Sequence, residues 1–165
     1  MNISDAAVRK FGRAMPTFRL IYASRSVIAP EQAEGVIEAI VDVSRIRNRN
    51  VGVTGCLILA GGRFAQVLEG EQHRVEDIMA SICRDVRHTD IGILEQKMVP
   101  QRRFSAWSLG YAGPSSFVKN AIVAQLARNL RGSPRSIEAL LRMMDAFCAE
   151  PVPPDASPAK ASDLP

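Results

Sequence analysis

The sequence predicts an α+β fold in which one sheet carries helices on both faces, and three observations point to it. Hydrophobic periodicity switches between the two-residue period of strands and the 3.6-residue period of helices, in the order strand, helix, strand, strand, helix, strand. Gly61-Gly62 separates two runs rich in β-formers, and glycines supply the positive φ that a tight hairpin requires. Beyond Gly113 the pattern becomes helical again, with apolar stripes that need a sheet face of their own. This is the ferredoxin-like βαββαβ arrangement with an added strand and two C-terminal helices.

Residues 1–16 are polar and mixed and read as an N-terminal arm that ends at Pro16. The run from Phe18 to Ser24 reads as the first strand, because it is dominated by β-formers. Pro30 opens the first helix at the position where its missing N–H matters least, and Glu31 and Glu34 suit the positive end of the dipole. The stripe Ala33, Ile37, Ile40, Val41 and Ser44 continues by threes and fours to Asn48, and Arg45, Arg47 and Arg49 gather at the negative end. The hairpin spans residues 51–69. In its second strand Phe64, Gln66 and Leu68 share one face, so the Gln66 amide lies among apolar neighbours and must find polar partners. Backbone, water or a polar ligand could each supply them.

A second helix is expected from about Gln72 to Arg87, on the stripe Val75, Ile78, Met79, Ile82 and Val86. Ser81, Asp85 and His88, at i, i+4 and i+7, would then project along one edge of it. Strands follow at Ile91–Val99 and Phe104–Gly110. Helices over Val118–Asn129 and Ser136–Phe147 would cover the second sheet face, which makes the apolar run Cys56–Ala60 a central strand. The domain organisation expected is an arm (1–16), a folded domain (17–113), a helix pair (114–149) and a Pro-, Ala- and Ser-rich disordered tail (150–165).

The totals bound the function. With 165 residues, 47% of them apolar and 23% charged, the chain is globular and can bury a real core. The net charge of +4 is spread along the chain, which argues for solubility and against a nucleic-acid partner. No run is long enough to span a bilayer and the N-terminus lacks a signal-peptide pattern, so a cytoplasmic location with no membrane partner is expected. Cys56, Cys83 and Cys148 are odd in number, widely separated and read as reduced thiols; His73 and His88 have no acidic cluster between them to make a metal site.

The segments RLIYAS, SRIRNRNVGVTG, GGRFAQVLEG, RDVRH and RFSAWSLG occur in an order and spacing that resemble BLUF domains, flavin-dependent blue-light sensors, from about Thr17 to Gly113. The resemblance implies a photochemical protein, not an enzyme, that holds FAD non-covalently, with FMN as the alternative. It implies that Tyr22 donates an electron to the excited flavin and that Gln66 bridges Tyr22 and the ring and rearranges on illumination. Asn48 would bond the ring's polar edge, Asp85 and His88 would flank it, and Trp107 would be a competing electron donor. Two positions depart from the family pattern. Leu109 stands where methionine is frequent, and Ser81 where an arginine often holds the flavin's polar tail, with Arg84 one turn on as the candidate replacement. These two leave open a flavin-free member that acts as a protein-interaction module. An acylphosphatase-type enzyme on the same fold lacks its Gly-rich phosphate loop here. The expected signalling partner is a regulatory protein or enzyme in trans, reached through the C-terminal helices, and self-association into a homo-oligomer is expected as well.

Overall fold

The computed structural model describes residues 16–105, 110–112 and 133–148. The expected arm (to residue 15), the helix at Val118–Asn129, the tail, Trp107 and Leu109 lie outside the described residues. Strand β1 (Thr17–Ser26) leads through a 3-10 turn at Pro30–Gln32 into helix α1 (Ala33–Asn50). Strands β2 (Thr54–Ala60) and β3 (Arg63–Gly70) form the hairpin, followed by helix α2 (Gln72–Cys83), strand β4 (His88–Val99), the short strand β5 (Gly110–Ala112) and helix α3 (Pro134–Cys148).

One five-stranded sheet has the order β4-β1-β3-β2-β5, antiparallel except for the β2–β5 pair. The predicted α+β arrangement is therefore the observed one, and β2 is a central strand. Gly61 and Gly62 take φ values of +57° and +71°, so both turn residues use the left-handed region that an L side chain resists. Gly55 has a different reason to be glycine: a Cβ there would sit 1.9 Å from the Val67 carbonyl oxygen. The β2 and β3 backbones approach too closely for any side chain at that point.

Alternation along the strands sends two sets of residues to opposite faces. Ile21, Cys56, Ile58, Ala65 and Val67 pack with Phe104 and with Ile137, Leu140, Leu141 and Met144 of α3. Ser133 prepares that helix: its hydroxyl accepts the Ser136 N–H at 3.2 Å, and Pro134 follows at the position where its lost N–H is harmless. On the other face Leu20, Tyr22 and Leu68 pack under Val75, Ile78, Met79 and Ile82 of α2. Leu57 and Phe64 pack under Ile37 and Val41 of α1.

Three expectations are corrected. Helix α2 stops at Cys83, not Arg87, because i→i−3 bonds from Arg84 and Asp85 tighten its end and the Asp85 carboxylate then takes the Arg87 N–H at 3.0 Å. Val86 is consequently 86% exposed, although it sits on the helical period. The strand expected over Phe104–Gly110 is absent at Phe104 and Ser105 and present at Gly110, the first residue of β5; residues 106–109 lie outside the described residues. Residues 102–105 instead form a bend whose Arg103 and Phe104 N–H groups are taken by the buried Glu69 carboxylate, at 2.8 and 3.0 Å. Strand β4 also starts earlier than predicted. It carries irregularities opposite β1 at Ile21/Tyr22 and at Ala23/Arg25, the second next to Asp90 at φ 52°.

Candidate functional site

A cavity of about 300 Å³ opens between α1 and α2 above the sheet. Its floor is Tyr22 from β1, Leu57 from β2, and Phe64 and Gln66 from β3. One wall is the α1 face bearing Ile40, Val43, Ser44 and Arg47; the other is Ser81 and Ile82 of α2 with Asp85, Arg87 and His88 of the turn and strand that follow. Tyr22 and Gln66 are brought together by register, since they stand directly opposite each other in the β1–β3 ladder. The Tyr22 hydroxyl donates to Gln66 Oε1 at 2.7 Å, with both side chains buried. Burial, with a smaller contribution from the Asp85 charge, pushes the Tyr22 phenol far above its ordinary value. The group is thus a neutral hydrogen-bond donor at any physiological pH. The Gln66 amide nitrogen has no hydrogen-bond partner among the described residues, although its side chain lines the cavity.

Asp85 and Arg87 form a closed pair two residues apart, with Arg87 donating through Nε at 2.8 Å and Nη2 at 2.6 Å. These bonds hold the Asp85 carboxyl below the usual carboxylate range. Ser24 Oγ lies 2.8 Å from His88 Nδ1, a bond that either tautomer of a neutral ring makes, and the ring packs on Phe64 at 4.4 Å. Burial lowers the His88 pKa below 6.5, against the opposing pull of Asp85. Arg47 reaches across the cleft and donates from Nη1 to Ser81 Oγ at 3.1 Å.

The expected edge of Ser81, Asp85 and His88 on one helix does not exist, because only Ser81 is helical; the turn after α2 nevertheless returns all three to the same cavity. Asn48 is fully buried in the last turn of α1, next to Arg47 but not among the cavity-lining residues. Arg84 is exposed at the end of α2 and does not line the cavity; Arg87 does. The sequence held a signal for Arg87 in the D-x-R-H spacing of residues 85–88, where an Asx-type turn pairs the acid with the arginine two residues on. The Arg47–Ser81 bridge left no such signal, since it joins residues 34 positions apart.

The chemistry of this cavity suits a planar heteroaromatic ring. Apolar side chains cover the faces, an amide with a spare donor stands at one point of the rim, and the volume falls at the lower end of ligand pockets, about 300–1,000 Å³. Among the described residues no group of His, Cys, Asp and Glu is placed to hold a metal ion, and no helix is long and apolar enough to cross a membrane. Residues 17–110 match the family described as "BLUF: Sensors of blue-light using FAD". The chain belongs to the BLUF family. Over 85 residues it is 40% identical to the blue light- and temperature-regulated antirepressor BluF of Escherichia coli (strain K12), a match spanning 52% of this chain and 21% of the antirepressor. It is 29% identical over 115 residues to the photoactivated adenylate cyclase subunit beta of Euglena gracilis, of which it spans 13%. The BLUF protein BlrB in its dark state superposes with a TM-score of 0.67 at 29% identity, covering 79% of this chain and 96% of BlrB.

Proposed function

We propose that this chain is a blue-light photoreceptor in which Tyr22 and Gln66 convert excitation of a non-covalently held flavin into an altered hydrogen-bond pattern. The reading is carried by one observation: a buried Tyr22–Gln66 hydrogen bond is the polar part of a floor otherwise made by Leu57 and Phe64, in a slot with polar and charged groups along its walls. A bound flavin supplies light absorption and, once excited, a strong oxidant. Tyr22, held neutral by burial, keeps its proton next to the Gln66 oxygen and can surrender an electron and that proton together. Gln66 has a donor and an acceptor at opposite corners of one amide, so rotation of its side chain exchanges which of them Tyr22 meets. Ile40, Val43 and Ile82 give the slot's walls their apolar part. Arg87 fixes the Asp85 carboxylate, and Ser24 fixes the His88 ring, at the slot's edge. Asn48 contributes from the end of α1, and Trp107 serves as an alternative electron donor.

FAD is the proposed cofactor, as in the family description; BlrP1 of Klebsiella pneumoniae, 26% identical with a TM-score of 0.59, is known with FMN. The chain itself is proposed to be a sensor without catalysis of its own, acting on a regulatory protein or enzyme in trans. Relatives named as an antirepressor and as a photoactivated adenylate cyclase subunit, of which this chain matches 21% and 13%, support a sensor that serves a separate effector activity; action in trans is proposed for this chain. The output is proposed to leave through α3, to which Arg103 ties the post-β4 bend by bonds to Asp145 and Glu138.

An absorption spectrum of dark-purified protein, repeated after blue light, tests the reading. A flavin band that shifts slightly to the red and relaxes in darkness is expected, and Gln66→Leu should retain the flavin but lose the shift. A colourless protein that takes up no added flavin would replace the photoreceptor with a flavin-free interaction module.

A further inference from the structure

Strand β4 stands at the end of the sheet and is hydrogen-bonded to β1 alone. The N–H and C=O groups of its other side meet no strand among the described residues, over a length of 12 residues. Ile93 and Met98 are 44% and 51% exposed, and both stand on the α2 face, opposite Tyr22 and Phe18 of β1. Glu95 and Lys97 stand on the α3 face, opposite Ile21 and Arg19, and bond each other at 2.7 Å. Leu94 is the extra residue of a bulge, since Ile21 and Tyr22, adjacent in β1, oppose Glu95 and Ile93.

A two-fold axis perpendicular to a sheet keeps each side chain on its own face. Two β4 strands that pair antiparallel about such an axis must therefore set one residue opposite its own copy. With Gln96 at the axis, Lys97 of each copy faces Glu95 of the other. Met98, counted past the Leu94 bulge, then faces Ile93 of the other copy. Opposite charges meet on the α3 face and exposed apolar side chains meet on the α2 face, the pairings that stabilise antiparallel ladders. An axis at Glu95 or Lys97 would oppose like charges, and one at Ile93 would set Glu95 against Gly92. We propose that β4 is a dimerisation edge, at which two copies of this chain pair antiparallel about Gln96 and join their sheets into one. The occupant is a second copy because the strand is complementary to itself. A charged residue and a bulge normally keep an edge from pairing at random, and here both are answered in this one register. The proposal is independent of the flavin reading.

The test is sedimentation equilibrium of the full chain in the dark, followed by cysteine cross-linking. Edge pairing buries little surface, so a reversible dimer with a Kd between roughly 10 μM and 1 mM is expected. Lys97→Glu turns both cross-strand attractions into repulsions and should weaken the dimer at least about tenfold, and Lys97→Gln by less. The Lys97 side chain is 50% exposed, so both variants should keep the circular dichroism of the parent, which reports that they are folded. For the register, Ile93→Cys, Gln96→Cys, Lys97→Cys and Met98→Cys are made singly in a chain carrying Cys83→Ser and Cys148→Ser, the remaining Cys56 being buried. A disulfide needs Cα atoms within about 4.4–6.8 Å, which only the residue on the axis satisfies, so Gln96→Cys should cross-link fastest. A chain that stays monomeric to about 1 mM would overturn the proposal. So would a dimer indifferent to Lys97→Glu, or cross-linking fastest at another of the four positions.

Discussion

The two faces of the sheet are built on opposite principles. Under α3 the contact is apolar, and the charge set in the sheet beneath it is buried: Glu69 is fully buried, holds two backbone N–H groups through Oε2 and lies 3.8 Å from Arg19, which in turn bonds Glu95. Under α1 and α2 the apolar contact splits into two clusters, one beneath each helix, and the gap between them is the cavity. The first face is therefore where stability is concentrated. The second gives up packing to keep a slot with the buried Tyr22–Gln66 pair on its floor. The proposed sensor chemistry would occupy the face that can spare contacts.

This contrast can be broken, and the largest effect should come from the α3 face. Glu69→Ala removes the acceptor of two N–H groups and the neighbour of Arg19, and should cost about 3–5 kcal/mol in urea unfolding, as loss of one partner from a buried charge cluster does. A loss under about 1 kcal/mol would mean that water reaches this face too. Leu140→Ala, at a fully buried α3 position, should cost about 2–5 kcal/mol while leaving flavin affinity unchanged. A fall in flavin affinity at constant fold would show the two faces to be coupled more tightly than their packing suggests. Tyr22→Phe on the cavity face should cost only about 1 kcal/mol, since it deletes one hydrogen bond and leaves the Gln66 oxygen beside a cavity.

The smallest effect concerns pH. The folded-state pKa of His88 is depressed, so the unfolded chain binds more protons just below pH 6.5 and stability falls as pH drops through that window. Asp85, also depressed, adds a further loss below its ordinary value of 3.8. His88→Gln should flatten the decline in melting temperature between pH 7.5 and 5.5, and an unchanged slope would assign it to other groups.

The strands β1 to β3 and helix α1 were legible in the sequence because period and turn chemistry agreed there. The end of α2 was not. Val86 continues the apolar period, but Asp85 offers the backbone a competing acceptor, and periodicity carries no record of that competition. The run after β4 misled for a related reason: Phe104 is buried, as a strand residue would be, yet its N–H bonds a side-chain carboxylate and not a neighbouring strand. At the site, Tyr22 and Gln66 could be named from the family's motif. Their alignment depends on the β1–β3 register, which is set by the packing of both faces together. Arg47 was visible only as one of three arginines at a helix end, because what distinguishes it is its reach to Ser81.

The position of the Tyr22–Gln66 pair has a last consequence. Strands β1 and β3 are each hydrogen-bonded on both sides, in the interior of the five-stranded sheet. Neither can slide without breaking two ladders at once, so a stimulus that reaches Gln66 finds only side-chain torsions to change. Torsions have discrete rest positions separated by barriers. The dark and illuminated forms should accordingly differ as a latch differs when open and shut, without the graded yielding of a spring, and the strength of the light would alter how many molecules have turned, not how far each has turned.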